Sequence, residues 1–423
     1  MKKESILFII PWLPYPPKSG GHQGLLSGIE SVKDDFDVFI AYEILDDKDY
    51  QISEEGFLKI VPNAHLLPLK NEKAKLNIRI LLKDILFFLM NFVRKYFHNV
   101  NNESNNAASR WKTTVSPLSR RWLNHIAGIC QKYDFSIIQV EMPWFISQIL
   151  TLPESAKKIF VHHELGFVCR ELEYSKFVSK NDEYLKACKS YADLVELSLL
   201  NLYDAIITVS PVDRDKLLQK GVKIPVYSSF LTIDSPKEIY PQYGDGKQLT
   251  FVGPDSHMPN YVGLKWFLDT CWSHLKSIDN GYKLSIIGKW NNTNISNISS
   301  KYEGVEFLGF VDNLEECLKG TIMIVPITIG SGIRMKILEA CSYGVPFIST
   351  TVGAEGIPLS NGQHCMIADT PQEFVDGIKK LQDVDLQKSL AANARKMVQE
   401  KFSRTALRNN RLYVYDEVCE KHC

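Results

Sequence analysis

The sequence contains a segment that begins with two closely spaced glycines, Gly330-Ser331-Gly332-Ile333-Arg334-Met335-Lys336-Ile337-Leu338-Glu339-Ala340. It follows an apolar run, Thr321 to Pro326, that predicts a buried strand, and it leads into a segment, Met335 to Tyr343, that predicts a helix. A glycine-rich turn from strand to helix leaves backbone N–H groups available at the positive end of the helix dipole. Such a turn predicts an anion site.

Three side chains add to this predicted anion site. Arg334 and Lys336 supply two cations, and Glu339, about one helical turn further on, supplies a carboxylate that can accept from sugar hydroxyls. A pyrophosphate that carries a ribose would satisfy all three parts. The other residues of the turn that we expect to line this ligand are Gly330, Ser331, Gly332 and Ile333.

Short β-branched segments recur on both sides of this turn and alternate with helical segments. The first half predicts strands at 6–11, 38–42, 137–140, 159–162 and 206–209, and the second half at 249–252, 283–287, 305–308, 322–325 and 346–349. This alternation predicts an α/β fold with parallel sheets.

A chain of 423 residues is too long for one compact core. We expect a first Rossmann-like domain over 1–228, a second over 229–400, and a linker between Val226 and Lys247. The last helical stretch, 401–423, could pack back on the first domain.

The amino-acid composition limits the possible functions of the protein and the cellular compartment in which it works. The chain carries 49 Lys and Arg and 49 Asp and Glu, so its formal net charge is zero, which argues against general nucleic-acid binding. Nine scattered cysteines without a C-x-x-C pair predict reduced thiols in a cytosolic protein. The apolar run Ile6 to Ile10 is too short for a signal peptide.

A basic segment, 70–122, departs from the alternating pattern. Within it, Ile78 to Phe97 places apolar residues along one wide helical face, with lysines and arginines on both flanks. Charges within this stretch argue against a helix that spans a membrane. Two interpretations stay open: the helix lies on an anionic membrane surface, or it buries this face in the core of the first domain.

Ligands of doubly wound sheets bind outside the carboxyl ends of the strands, so residues that directly follow predicted strands are candidates. Gly20 and Gly21 follow the first strand, where glycines let a backbone approach a ligand closely; an ordinary turn is the alternative. His162 and His163 follow a later strand. We favour His163 as the residue that donates to a sugar hydroxyl or carries a proton, with the choice between the two histidines open.

Two turns in the second half are weaker candidates. Gly253 would permit close approach to a phosphate or sugar, and His257 could add a side-chain donor; a plain turn before the next helix is the alternative. Backbone groups of Phe310 and Val311 could read the edge of a nucleobase. The D-x-D match at 383–385 lies between helices rather than after a strand, so we interpret it as chance.

In order and spacing, these motifs resemble the family-four glycosyltransferases, retaining enzymes of the GT-B fold. The resemblance is strongest over residues 326–358 and extends along nearly the whole chain. The segments that carry it are PYPPKSGG, VHHELGFVCR, DAIITVS, FVGPDSHMPNYVGLKWFL and PITIGSGIRMKILEACSYGVPFISTTVGAEGIP. It implies two Rossmann-like domains that face each other across a deep cleft.

The resemblance also implies a reaction: a sugar moves from a nucleotide donor to an acceptor with retained anomeric configuration, without a metal or another cofactor. By similarity, Glu339 holds the donor ribose, and Arg334 and Lys336 neutralise the leaving diphosphate. Gly20 and Gly21 close over the phosphates, and His163 contacts the transferred sugar. Two features depart from the family pattern. Ser331 stands where the first glutamate of the E-x7-E motif is expected, and the usual Arg and Lys shortly after the first strand of the second domain are absent from Gly253 to His257.

The expected partners are a nucleotide sugar and an acceptor that is a lipid-linked or surface glycan. The expected location is the cytoplasm or the inner face of the cell membrane, reached through Ile78 to Phe97. Two other functions stay open. One is a catalytically silent GT-B subunit that binds a nucleotide or a partner, and the other is a nucleotide-sugar epimerase.

Overall fold

The computed structural model describes residues 3–17, 20–44, 50–70, 102–175, 182–233, 239, 241–330 and 332–420. The segment from Ile78 to Phe97 and residue Ser331 lie outside these ranges, so what the sequence indicates for them stays a prediction. Within the described ranges, no helix is both long enough and apolar enough to span a membrane.

Two parallel sheets form the framework, which confirms the predicted α/β class. The first sheet contains β1 (Ser5–Ile9), β2 (Asp37–Glu43), β3 (His65–Leu69), β4 (Ile137–Glu141), β5 (Lys157–His162), β6 (Ala205–Thr208) and β7 (Val226–Ser228), in the order β3-β2-β1-β4-β5-β6-β7. Its helices are Gly20–Glu30, Tyr50–Ile60, Asn102–Thr114, Arg120–Lys132, Gly166–Ser175, Glu183–Leu200 and Pro211–Lys220, with a 3-10 helix at Pro143–Thr151.

The second sheet repeats the same design. It contains β8 (Gln248–Val252), β9 (Lys283–Ile287), β10 (Val305–Gly309), β11 (Ile322–Val325), β12 (Phe347–Ser349) and β13 (Met366–Ile367), in the order β10-β9-β8-β11-β12-β13. Its helices are Met258–Phe267, Ser273–Ile278, Asn292–Lys301, Leu314–Leu318, Met335–Tyr343, Thr351–Ala354, Pro371–Lys380, Val384–Lys401 and Arg404–Glu420, with a π-helical turn at Leu268–Trp272.

Strand β11 shows why the second sheet is buried on both sides. Successive strand residues point to opposite faces, and here Ile322 and Ile324 enter one hydrophobic cluster while Met323 and Val325 enter another. Parallel sheets carry helices on both faces, so their strands are apolar throughout. The functional residues are therefore expected beyond the carboxyl ends of the strands.

By their internal contacts the residues form two compact units. One unit comprises 1–207, 217–227 and 414–423, and the other comprises 208–216 and 228–413. The last helix, Arg404–Glu420, contributes its end from Val414 onward to the first unit. There the Tyr415 ring meets Phe36 edge to face, with 5.6 Å between ring centroids.

Several boundaries differ from those that the sequence predicts. The sequence pattern predicts a first helix from His22 to Lys33, whereas this helix begins at Gly20, so both Gly20 and Gly21 lie in its first turn. Residues Val226–Ser228, expected to open the linker, form edge strand β7 instead. The sequence pattern predicts a helix from Val262 to Leu275, whereas the helix begins at Met258, because Pro259 fits the first helical turn.

Candidate functional site

The turn between β11 and the helix Met335–Tyr343 is built by glycines in conformations that other residues rarely adopt. Gly330 has φ 125° and Gly332 has φ 78°, and the helix ends at Gly344 with φ 68°. The helix bounds confirm the prediction from sequence. Arg334 occupies the N-cap and its side chain makes no capping bond to the helix, since a guanidinium has no acceptor. The turn therefore presents a helix N-terminus and a cation together.

Arg334 lies along this turn. Arg334 is only 8% exposed to solvent, and its Nη1 donates to the carbonyl oxygen of Gly332 at 2.5 Å. A Cβ atom on Gly330 would lie 2.9 Å from Nη2, so the glycine leaves room for the guanidinium. The charge is thus fixed beside the helix N-terminus.

Lys336 lies in the first turn of the same helix and is held by neutral groups. Its Nζ donates to Asn260 Oδ1 at 2.8 Å and lies 4.7 Å from the centre of the Phe251 ring. Burial, together with the neighbouring charge of Arg334, lowers the pKa of Lys336 to about 7, and Glu339 opposes this shift. A bound anion would favour the charged form again.

Asn260 connects this lysine to the end of β8. Its Nδ2 donates to the carbonyl oxygen of Pro254 at 3.0 Å, and its side chain fills the space where a Cβ on Gly253 would be, 2.5 Å from Nδ2. Gly253 has φ 145°. The structure thus assigns the freedom of Gly253 to packing against Asn260, whereas the sequence predicted that a ligand would use it.

The other candidates of the second unit lie around the same sheet. Glu339 and Ile333 are partly buried beside the turn. His257 is exposed at the N-cap of the helix Met258–Phe267. Phe310 follows edge strand β10 and is 65% exposed, with Val311 partly buried beside it. A hydrogen bond joins Lys336 to Asn260, the charge of Arg334 acts on Lys336, and β10 is separated from β8 by β9.

In the first unit, the two adjacent histidines have different surroundings. His162 is fully buried, with Nε2 at 3.1 Å from Glu196 Oε1. That glutamate also accepts from Arg170, so His162 belongs to a buried ion network. The side chain of His163 is 12% exposed, and its Nε2 lies 2.5 Å from Glu141 Oε2. This geometry favours His163 for contact with a ligand.

Glu141 was not singled out from the sequence. It ends β4, which reads IIQVE, and a signal was present, because two polar residues two apart share one face of an otherwise apolar strand. Such a strand is a poor choice for packing alone. The position suggests a chemical or orienting role.

Aromatic rings line the same edge of the first sheet. Trp12, after β1, lies 5.4 Å from the His22 ring, next to Gly21, and 5.9 Å from the Trp144 ring. Trp144 is 40% exposed. It also lines a cavity of about 420 Å³ together with Asn106, Ser109, Arg110, Thr113 and Thr114.

The D-x-D match has a structural explanation. Asp383 is the N-cap of the helix Val384–Lys401, and its Oδ1 accepts from the backbone N–H groups of Asp385 and Leu386 at 2.9 and 3.2 Å. This is a capping arrangement. Within the described ranges, no cluster of three or more His, Cys, Asp or Glu side chains could hold a metal ion.

The second unit matches a known protein family. Residues 246–383 match the family model "Glycosyl transferases group 1". A 44.6 kDa protein of the cps region of Klebsiella pneumoniae is 25% identical over 92% of this chain and 94% of its own. The N-acetyl-alpha-D-glucosaminyl L-malate synthase of Bacillus anthracis is 33% identical over 23% of this chain and 26% of its own.

Solved structures extend the likeness to both units. S. aureus TarM superposes with a TM-score of 0.67 at 12% identity, covering 98% of this chain and 99% of its own. HepE of Anabaena, solved with UDP-glucose, gives a TM-score of 0.64 at 12% identity, covering 98% and 100%. At such identities the likeness concerns the fold, which is GT-B in both.

Proposed function

We propose that this chain, whose residues 246–383 match the group 1 glycosyltransferases, moves a sugar from a nucleoside diphosphate donor to a glycan acceptor with retention of anomeric configuration. The observation that carries the proposal is the cluster at the turn before Met335. It combines a helix N-terminus, the fixed guanidinium of Arg334 and the ammonium of Lys336. This combination matches a diphosphate.

The state of Lys336 supports a phosphate ligand in particular. Among the residues that the structure describes, its Nζ donates to the amide oxygen of Asn260 and lies over the Phe251 ring. Burial lowers the pKa of Lys336 to about 7, and a bound anion would favour the charged form of its ammonium group. Glu339, further along the helix, is then placed for the ribose hydroxyls. HepE, solved with UDP-glucose, supports UDP as the nucleotide.

Same-face attack is the mechanism that these residues fit. The leaving diphosphate gains charge as the sugar departs, and Arg334 and Lys336 stabilise that charge. The departing phosphate itself takes the proton of the acceptor hydroxyl. We assign contact with the transferred sugar to His163, whose ring is held by Glu141. The glycines Gly20 and Gly21, with their N–H groups in the first turn of a helix, are assigned to the phosphates.

The acceptor that we propose is a saccharide of a surface or lipid-linked glycan. The relative from the cps region supports a role in polysaccharide synthesis. The cavity beside Trp144 supports a saccharide, because an indole offers a flat apolar face and the other lining residues offer hydroxyl, amide and guanidinium groups. We further propose a cytoplasmic site of action at the inner membrane face, on the strength of the sequence of Ile78 to Phe97.

Titration calorimetry with UDP, GDP and ADP, followed by turnover of the matching glucose donors, tests the proposal. We expect UDP to bind and UDP-glucose to be turned over faster when alkyl glycosides are present. Nucleotide binding without any turnover would point to the silent subunit, which the Ser331 departure favours. A donor sugar converted without an acceptor would point to the epimerase.

The acceptor assignment has its own test. Trp144→Ala should weaken stimulation by an alkyl glycoside while UDP affinity stays at the wild-type value. Leu150→Ala is the matched control, since Leu150 is 58% exposed on the same 3-10 helix. Equal stimulation of wild type and Trp144→Ala would exclude this cavity as the acceptor site.

A further inference from the structure

A chain of hydrogen bonds leads from His163 to the last helix of the protein. Glu141 Oε2 lies 2.5 Å from His163 Nε2, and Glu141 Oε1 accepts from Gln139 Nε2 at 2.5 Å. Gln139 Oε1 in turn accepts from the hydroxyl of Tyr415 at 2.6 Å. All four residues belong to the same compact unit.

This chain is buried. Gln139 is 0% exposed, Tyr415 1% and Glu141 2%. Both β4 residues lie in a strand with β1 on one side and β5 on the other. Burying an amide and a carboxylate here is unfavourable unless every polar atom finds a partner. Apolar residues would pack the same strand at lower cost, so the polar chain is maintained for something other than packing.

The chemistry of the groups fixes the direction of every bond. An ionised carboxylate can only accept, so His163 must carry its proton on Nε2 and Gln139 must present its NH2 group to Glu141. The amide oxygen of Gln139 then faces Tyr415, whose hydroxyl donates to it. Reversing the amide would set its oxygen against the carboxylate.

We propose that Gln139 and Tyr415 are positioning residues that hold Glu141, and through it His163, in one orientation and one tautomer. Tyr415 saturates the amide oxygen of Gln139, and Gln139 occupies Oε1 of Glu141. Only Oε2 then remains for His163 Nε2. The ring nitrogen presented to the donor sugar is therefore Nδ1. The turnover part of this inference rests on the proposed function, whereas the orientation of the ring does not.

Loss of the Tyr415 hydroxyl should affect every hydrogen bond from Tyr415 to His163. It leaves a buried amide oxygen without its donor, which is unfavourable, and frees Gln139 to turn away from Glu141. The carboxylate can then rotate, and His163 loses its fixed orientation. A misoriented ring holds the transferred sugar less well in the transition state, which lowers the rate of the chemical step more than it lowers donor binding.

The test combines Tyr415→Phe with Tyr413→Phe, a control on the same helix at a residue that is 56% exposed. Ring 15N signals of His163, assigned with His163→Gln, report the tautomer without substrate, and turnover of UDP-glucose gives kcat and KM. In Tyr415→Phe we expect a smaller Nε2–H population and kcat about tenfold lower, with donor KM within about twofold of wild type. Tyr413→Phe should match wild type in both readouts.

Two results would overturn the proposal. One is a lower melting temperature in Tyr415→Phe with unchanged His163 signals and kcat, which would make the chain purely structural. The other needs no variant: an Nδ1–H tautomer of His163 in the wild-type protein would contradict the bond directions. If His163 signals change in Tyr415→Phe while no donor is turned over by any form, the positioning role stands and only the proposed function fails.

Discussion

Lys336 donates from Nζ to Asn260 Oδ1 across 2.8 Å, which joins the first turn of the helix Met335–Tyr343 to the helix Met258–Phe267. The partner is a neutral amide. An amide contributes less to keeping an ammonium charged than a carboxylate does, and burial lowers the pKa of Lys336 to about 7. The lysine is thus poised to gain a proton when an anion arrives.

The first prediction is a pH dependence of UDP binding. Above about pH 7 the unliganded Lys336 loses its proton, whereas bound diphosphate favours the charged form, so binding must take up a proton. Affinity for UDP should therefore fall as pH rises from about 7.5 to 9.5, by at most about tenfold per pH unit. Calorimetry in buffers of different ionisation enthalpy measures both the affinity and the proton uptake.

Lys336→Met is the control for that dependence. It should bind UDP more weakly at pH 7, and its UDP affinity should change little with pH.

The stability of the folded protein should depend on pH in the opposite direction from UDP affinity. In the unfolded chain Lys336 keeps a pKa near its ordinary value of 10.5, so between pH 7 and pH 10.5 the unfolded chain binds more protons than the folded chain. The unfolding free energy of wild type relative to Lys336→Met should then rise with pH in that window. Parallel pH profiles for the two proteins would contradict the assignment.

The second prediction concerns Arg334. Arg334→Ala removes the cation that lies along the turn and its bond to the Gly332 carbonyl. Loss of one donor to a developing negative charge typically costs about 3 kcal/mol, so kcat should fall by about a hundredfold or more while the circular dichroism spectrum stays native. Because Arg334 also depresses the pKa of Lys336, the alkaline fall in UDP affinity should move to higher pH.

Arg334→Lys separates charge from shape. It keeps the cation but loses the planar fork, so its kcat should lie between those of wild type and Arg334→Ala. Steady-state turnover of UDP-glucose by all three proteins gives the comparison. Turnover of Arg334→Ala at the wild-type rate would remove Arg334 from the diphosphate site.

Elements of the fold that are marked by residues next to them in the sequence could be predicted, whereas elements that depend on distant contacts could not. The helix Met335–Tyr343 was predicted with its observed bounds, because Gly332 before it and Gly344 after it mark its ends. Strands β3, β7 and β13 were missed. All three are edge strands, β3 contains Pro68, and most of their residues are only partly buried. Edge strands tolerate proline and partial exposure, so their sequences resemble loops.

The site residues also include some that are neighbours in the sequence and some that only the fold brings together. The turn at Gly330 to Lys336 is contiguous, so the sequence alone brings its cations together. Glu141 and Gln139 meet His163 only because β4 and β5 pair in the sheet, and Tyr415 joins them from the last helix of the chain. Contacts between residues that far apart depend on tertiary packing. The packing of Gly253 against Asn260 is likewise visible only in three dimensions, and the predicted contact of Gly253 with a ligand stays a prediction.

The third prediction tests this packing of Gly253. A methyl group there would lie 2.5 Å from Asn260 Nδ2, at a φ of 145°. Gly253→Ala should displace Asn260, take its amide away from Lys336, and lower both stability, by about 2 kcal/mol or more, and UDP affinity. Gly362→Ala is the matched control, since Gly362 also has positive φ, 73°, but no atom lies within 4 Å of the added methyl. Urea unfolding and UDP calorimetry on both variants give the answer, and equal effects of the two substitutions would contradict it.

The fourth prediction concerns Asp383 and Asp385, which would hold a metal–nucleotide pair if the D-x-D match were functional. In the structure Asp383 caps a helix through the N–H groups of Asp385 and Leu386. Asp383→Ala should therefore lower the unfolding free energy by about 1 kcal/mol, and Asp383→Asn or Asp383→Ser should recover most of that loss, because both side chains still cap. Turnover should stay at the wild-type value in all three proteins, and Asp385→Ala should affect neither quantity strongly, since its side chain is 92% exposed. Urea unfolding and turnover of UDP-glucose, each with and without EDTA, measure both effects. A loss of kcat in Asp385→Ala that added manganese or magnesium changes would show instead that the motif serves the reaction.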